Sequence, residues 1–391
     1  PVNSSKSFSP WLHAWAVFTA ALTFVLLCSG GLVTSHGVGL AVPDWPNSFG
    51  YNMFAFPVSW WVQGIFFEHT HRLIATLVGL CTAILAVWMW VRETLGSVRW
   101  SGVATMVAVL VFLGVREMPV YLTLAALAPL VILGGMVGYG RGDGGLRWLG
   151  VIALAAVVLQ GVLGGLRVVW LKDQIGIFHA LLAQSFFVFL AILAVMSSRR
   201  FMEKRWADYE PNPALRWWAL TATVLIFLQL GLGATMRHEH IGLSIPDFPL
   251  AYGQILPQTD AVTMLRINAE RAAGHSMPTT AVQIWVQMVH RLVALLIVGA
   301  VGTLAVKARL SSRATRQGSR VWLLMICLQI GLGAWTIWSQ KAADVATAHM
   351  ALGALSLLLG ALLTFRLFCG AKTSDFALPD VPNSRLMEGS V

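Results

Sequence analysis

The densest chemistry in the chain lies in Phe66-Phe67-Glu68-His69-Thr70-His71-Arg72-Leu73-Ile74, where a carboxylate, imidazoles and a guanidinium open an otherwise apolar run. Ionisable side chains within a bilayer are costly unless partnered, so in a membrane segment they mark function by default. Glu68 and His71 are spaced i, i+3 and share one helical face, whereas His69 points about 160° away from His71, toward water or the loop. The same ending recurs as Gln287-Met288-Val289-His290-Arg291-Leu292-Val293, with an amide in place of the acid. A buried carboxylate can accept or return a proton or balance developing positive charge, whereas an amide can only hydrogen-bond. That asymmetry favours chemistry in the first copy and a static cofactor in the second.

The elements that position these residues are membrane helices. The chain has 391 residues, 57% of them hydrophobic and 11% charged, which is too apolar for a soluble domain, and its apolar runs reach spanning length. A net charge of +10 would suggest nucleic acid in a soluble protein. Here the Lys and Arg fall in alternate loops between apolar runs, a topology signal that excludes a nucleic-acid partner in favour of the lipid bilayer. Cys28, Cys81, Cys327 and Cys369 have no C-x-x-C spacing and lie within or at the ends of apolar segments, so neither a disulfide framework nor a thiolate site is expected. The first apolar run is longer than a signal-peptide core and reads as an uncleaved helix.

Predicted segments run over 11–33, 65–91, 147–167 and 174–196 in the first half, with a transmembrane hairpin at 101–140 split by Arg116-Glu117-Met118-Pro119. The second half repeats the first. GLSIPDFP at 242–249 matches GLAVPDWP at 39–46, His290-Arg291 matches His71-Arg72, Leu328-Gln329 matches Leu159-Gln160, and His349 matches His179. The expected architecture is an all-α polytopic membrane protein of two tandem four-helix bundles, residues 1–200 (with the hairpin inserted at 101–140) and 201–370, followed by a polar tail at 371–391. Arg199, Arg200, Lys204, Arg205 and Arg216 crowd one connection, and Lys307, Arg309, Arg313, Arg316 and Arg320 another, which places both on the cytoplasmic side together with the termini. The two P-D-aromatic-P loops then face outward, and His71, His179, His290 and His349 fall in the first two turns of helices descending from that face.

One intramembrane histidine most simply hydrogen-bonds a neighbouring helix. Four at one depth, two per repeat, fit paired axial ligation of heme iron better, and better than tetrahedral zinc, because no Cys or second carboxylate joins them. Glycines such as Gly164, Gly165, Gly231, Gly233, Gly331 and Gly333 either leave room for a flat macrocycle or permit tight helix packing. Arg72 and Arg291 either pair with heme propionates or snorkel to lipid headgroups. Asp44 and Asp247 most simply cap their turns, the alternative being a contact to a heme edge. His13, His36, His238, His240 and His275 are expected to be solvated in a terminus or loops.

On E-x-x-H-R at 68–72, the paired P-D-W/F-P loops, the LQ-x-x-LG turns and the four histidines, residues 11–92 and 147–366 resemble the heme A synthase family. The resemblance implies a multi-pass protein of the bacterial cytoplasmic membrane that oxidises a methyl group of heme O to a formyl group through hydroxylated intermediates. It implies a b-type heme (iron protoporphyrin IX) on His290 and His349, a substrate heme O site at His71 and His179, and Glu68 as the catalytic carboxylate. Heme O synthase, cytochrome oxidase assembly factors and an electron acceptor are the partners it suggests. Two departures stand out: the 34–64 loop lacks the cysteine pair of many members, and the 101–140 hairpin is additional to the usual eight-helix core. A di-heme bis-histidine cytochrome b for electron transfer, and a heme transporter or chaperone, are the competing functions.

Overall fold

The computed structural model describes residues 7–115, 117–142, 145–206, 210 and 212–374. Among these, ten helices are long and apolar enough to cross a membrane, as the eight repeated segments plus a hairpin require. They are α1 (Pro10–Ser35), α2 (Gln63–Glu93), α3 (Gly96–Gly114), α4 (Met118–Arg141), α5 (Leu146–Trp170), α6 (Asp173–Met196), α8 (Pro213–His238), α10 (Ala281–Lys307), α11 (Arg313–Trp338) and α12 (Ala343–Ser374). Two shorter helices, α7 (Arg199–Met202) and α9 (Ala261–Ala273), lie in the connections. Residues 1–6, Arg116 and the 375–391 part of the predicted tail lie outside the described residues, and α12 itself continues past 371.

Local chemistry fixes where the helices begin. Ser9, Asn212 and Ser312 cap α1, α8 and α11 with side-chain oxygens, and Pro10 and Pro213 occupy first-turn positions where no N–H is needed. Thr280 and Gln283 close a reciprocal capping box at the start of α10. α2 begins two residues before its predicted segment, and His71 and His290 are the ninth and tenth residues of α2 and α10, so they sit in the third turn rather than the first two. His179 and His349 are each seventh, in the second turn as expected.

α1, α2, α5 and α6 pack as one four-helix bundle, and α8, α10, α11 and α12 as another. The bundles meet where α1 lies against α12 and α6 against α8. Gly31 makes the first of these contacts possible, since a Cβ there would stand 2.5 Å from Met350 Cε and 3.0 Å from Thr347 Cγ2. The hairpin adds α4 along α5 and α3 along α2. Its effect shows in burial: 61% of the most apolar stretch of α5 is buried, against 22% for its counterpart α11, which has no such cover.

Candidate functional site

Each of the four repeated histidines lies against a glycine of a neighbouring helix in its own bundle. A Cβ at Gly30, Gly164, Gly233 or Gly333 would stand 3.0, 3.1, 3.6 or 3.1 Å from Cε1 of His71, His179, His290 or His349, respectively. The glycines therefore seat the imidazole rings. In three of the four pairs a glutamine one turn before that glycine fastens the histidine backbone: Gln160 Nε2 donates to His179 O at 2.9 Å, Gln229 Nε2 to His290 O at 2.8 Å and Gln329 Nε2 to His349 O at 2.8 Å. Leu26 holds the corresponding place opposite His71.

All four Nδ1 atoms are buried without a hydrogen-bond partner. A buried unpaired ring nitrogen is unfavourable unless it is used for something, and four at equivalent positions are a donor set suited to metal ligation. The rings come as two pairs, because His71 and His179 lie within electrostatic range of each other, as do His290 and His349. Among the described residues no group of three or more His, Cys, Asp or Glu side chains that could hold a metal ion is found. The four cysteines are free.

The two P-D-aromatic-P loops are built alike. Asp44 accepts from the N–H groups of Phe49 and Gly50, both at 2.7 Å, and Asp247 from those of Tyr252 and Gly253 at 2.8 and 2.9 Å. The aspartates thus cap their own turns, in which Phe49, Gly50, Tyr252 and Gly253 all have positive φ. Arg72 donates to the carbonyls of Val42, Asp44 and Asn47, and Arg291 to those of Asp247, Pro249 and Leu250, so both tie a loop to the helix beneath it.

Glu68 is 4% exposed; Oε2 accepts from Val42 N at 2.9 Å and Oε1 from Arg72 Nη2 at 2.7 Å. Gln287, 2% exposed, accepts from Ile245 N at 2.8 Å and donates to Ile245 O at 3.2 Å. Acid and amide therefore clamp equivalent loop residues. The amide supplies both acceptor and donor itself, whereas the carboxylate can only accept and leaves donation to Val42 O to Arg72.

Several histidines depart from the sequence expectation. His69 does not reach water: it is fully buried beneath the first loop, with Nδ1 3.2 Å from Ser48 Oγ and its ring against Phe56 and Trp61. His238 ends α8 rather than lying in a loop, and it is buried with its ring against Gly176 of α6. His13 lies within α1 and is within 3.0 Å of Ala194 O, and His36 stacks on Phe67 at 4.4 Å. His240 and His275 are exposed as expected.

Sequence reasoning passed over Arg167 and Arg237, in the last turns of α5 and α8. Arg167 lies within electrostatic range of both His71 and His179, and Arg237 within range of His349. The repeat concealed them, since the equivalent positions hold Thr336 and Thr34. The hairpin also gains a role: Tyr121 of α4 is buried against Trp45 of the first loop, whose indole fills the space left by Gly165.

The sequence profile of the COX15-CtaA family, described as cytochrome oxidase assembly protein, matches residues 51–362. The chain is 25% identical to the heme A synthase of Geobacillus kaustophilus over 85% of this chain and 83% of that protein. It is also 25% identical to the heme A synthase of Methylobacterium radiotolerans (95% and 94%) and 26% identical to that of a Caulobacter species (88% and 92%).

Proposed function

Because this chain belongs to the COX15-CtaA family of cytochrome oxidase assembly proteins, we propose that it is a heme A synthase, an integral multi-pass membrane oxidoreductase that converts a methyl group of heme O to the formyl group of heme A through hydroxylated intermediates. The observation that carries this reading is the set of four glycine-seated imidazoles, paired within each bundle, with every Nδ1 buried and unpartnered. His290 and His349 are assigned to the iron of a b-type heme, and His71 and His179 to the iron of the substrate. When bound, the b-type heme supplies one-electron redox chemistry. The chain itself holds each macrocycle through two imidazoles from facing helices, keeps water out with the apolar bundle walls, and closes each outer end with a clamped loop. The four histidines are assigned to the outer half of the membrane, with the basic connections and both termini on the cytoplasmic side.

Glu68 is assigned the proton released as the substrate is oxidised. Its oxygens are engaged by Val42 N and Arg72 Nη2, so the carboxylate takes that proton as one of these contacts lengthens. A second reading, a di-heme electron-transfer cytochrome, draws support from the shared clamp that Glu68 and Gln287 provide.

Glu68→Gln separates the two readings. The arrangement of Gln287 is open to an amide at 68, because Val42 O has a second lone pair, so the variant is expected to insert, keep its hemes and hold its loop. Expressed beside a heme O synthase, it should lower conversion to heme A by about 10²-fold or more, quantified by chromatography of hemes O, hydroxylated O and A. Wild-type conversion would reduce Glu68 to a loop clamp. Two equivalent b hemes in the pigment extracted from the wild-type chain, with no heme O or hydroxylated derivative, would favour the cytochrome.

A further inference from the structure

The two arginines next to the ligand histidines in sequence are poorly placed to hold anything further. Arg72 has both terminal nitrogens on loop carbonyls and on Glu68, which also neutralises its charge. Both terminal nitrogens of Arg291 are likewise on loop carbonyls, and its guanidinium stacks over Phe248 with the carbon 5.4 Å from the ring centroid.

A different set of cations converges where the two bundles meet. Arg167 makes one hydrogen bond, a long one of 3.3 Å from Nη1 to Gly39 O, and its Nη2 and Nε have no hydrogen-bond partner among the described residues. Arg237 uses only Nη2, on Gly31 O at 2.7 Å and Ser35 Oγ at 2.5 Å, and so ties α8 to α1 while Nη1 and Nε remain available. Lys341, in the connection between α11 and α12, is half-buried against Gly242; its backbone N–H donates to Thr336 O, and its ammonium has no hydrogen bond among the described residues. Burial pushes its ammonium below the usual lysine range, and the charge on Arg237 adds to the effect. His238 is within electrostatic range of both arginines and of Asp173. Asp173 is the acid that acts most strongly on Arg167, and it is not within salt-bridge distance.

The carboxylates that act on Arg167 are Asp173, outside salt-bridge distance, and Glu68, already paired with Arg72, and the three cations lie at or just past the outer ends of helices that carry or flank the histidine pairs. Favourable interaction with helix C-termini explains a basic residue at each of these ends, but not the gathering of three with so few acceptors. Partly buried charges of one sign call for counter-charge, and guanidinium groups bind carboxylates bidentately. We infer that Arg167 at the His71–His179 pair, and Arg237 with Lys341 at the His290–His349 pair, receive the carboxylate arms of the bound porphyrins, a role that Arg72 and Arg291 do not fill. The inference rests on the reading of the histidine pairs as heme ligands.

The test uses the full chain, purified after growth under heme limitation and titrated with hemin or with hemin dimethyl ester, whose carboxylates are blocked. A His71→Ala background isolates the C-terminal pair and a His290→Ala background the N-terminal pair. In each background the parent should bind hemin at least about tenfold more tightly than the diester, by loss of charge-assisted hydrogen bonds. Arg237→Gln should weaken that preference at the C-terminal pair alone, where Lys341 remains, and Arg167→Gln should abolish it at the N-terminal pair alone. Arg237→Lys, which keeps a donor for Gly31 O, should retain part of the preference and serves if the glutamine variant fails to fold. An undiminished preference in the arginine variants would overturn the inference while leaving the heme pairs intact. Unchanged hemin binding after His290→Ala and His71→Ala are combined would instead overturn the heme reading.

Discussion

The N-terminal and C-terminal bundles share a backbone plan but differ at the points where the plan is fastened. The first loop is held by an ion pair and by a buried Ser48–His69 contact, where the second has Gln287 and the apolar pair Ala251 and Met288. Trp45 packs against Gly165 and the hairpin residue Tyr121, whereas its counterpart Phe248 packs against Trp338 and Arg291. His71 alone lacks the glutamine that fastens its three fellows. The second outer connection adds α9, whose Ile267 joins Ile245, Ile284 and Met288 in a small apolar cluster over the loop. Both loops are held by aspartate, arginine and backbone hydrogen bonds, and the N-terminal one differs by an ion pair and a buried polar pair where the C-terminal one has an amide and an apolar pair.

The largest expected effect separates the halves by ligand. His290→Ala or His349→Ala should abolish the low-spin bis-imidazole absorption of the purified protein, because neither imidazole has a substitute ligand in its pair. His71→Ala and His179→Ala should leave that absorption in place and remove co-purifying heme O or its derivatives. Equal loss of absorption in all four variants would erase the proposed division between resident and substrate hemes.

A graded effect is expected at the glycines. Gly30→Ala, Gly164→Ala and Gly333→Ala each place a methyl group 3.0–3.1 Å from an imidazole carbon, tighter than ordinary van der Waals contact, so the ring must give way. Gly233→Ala meets His290 at 3.6 Å, an ordinary contact. The first three should lower heme retention or shift its absorption maximum, and the fourth should match the parent. An equally large shift in Gly233→Ala would mean that the rings are not seated by these glycines.

The smallest effect concerns the buried polar pair of the first loop. His69→Met or Ser48→Ala alone leaves a buried polar group unpaired and should cost about 1–3 kcal/mol, whereas the double variant reproduces the apolar pair of the second loop and should recover most of that loss. Thermal unfolding in detergent provides the measurement. A double variant no more stable than the worse single one would show that the pair does more than hold the loop.

The sequence by itself determined the membrane class, the number of spans, the duplication and the four histidines. These follow from run length, apolar content and repeated spacing, which are one-dimensional properties. It also located the hairpin, as the insertion that breaks the repeat register. Tertiary structure alone decided what each polar group faces. His238 reads as solvated because its neighbours in sequence are polar, and His69 reads as facing either water or the loop, yet packing of α6 buries the first and the loop covers the second. Arg72 and Arg291 read as ligand-binding because they adjoin ligand histidines, but adjacent helical residues point about 100° apart, and both turn to the loops. Arg167 and Arg237 occupy unrelated positions in the repeat, and only tertiary packing sets Arg167 against Gly39 and Gly176 and Arg237 against Gly31 and Ser35. Spacing along a chain specifies which residues share a face of one helix; which faces meet depends on how ten helices pack, and that is a property of the whole fold.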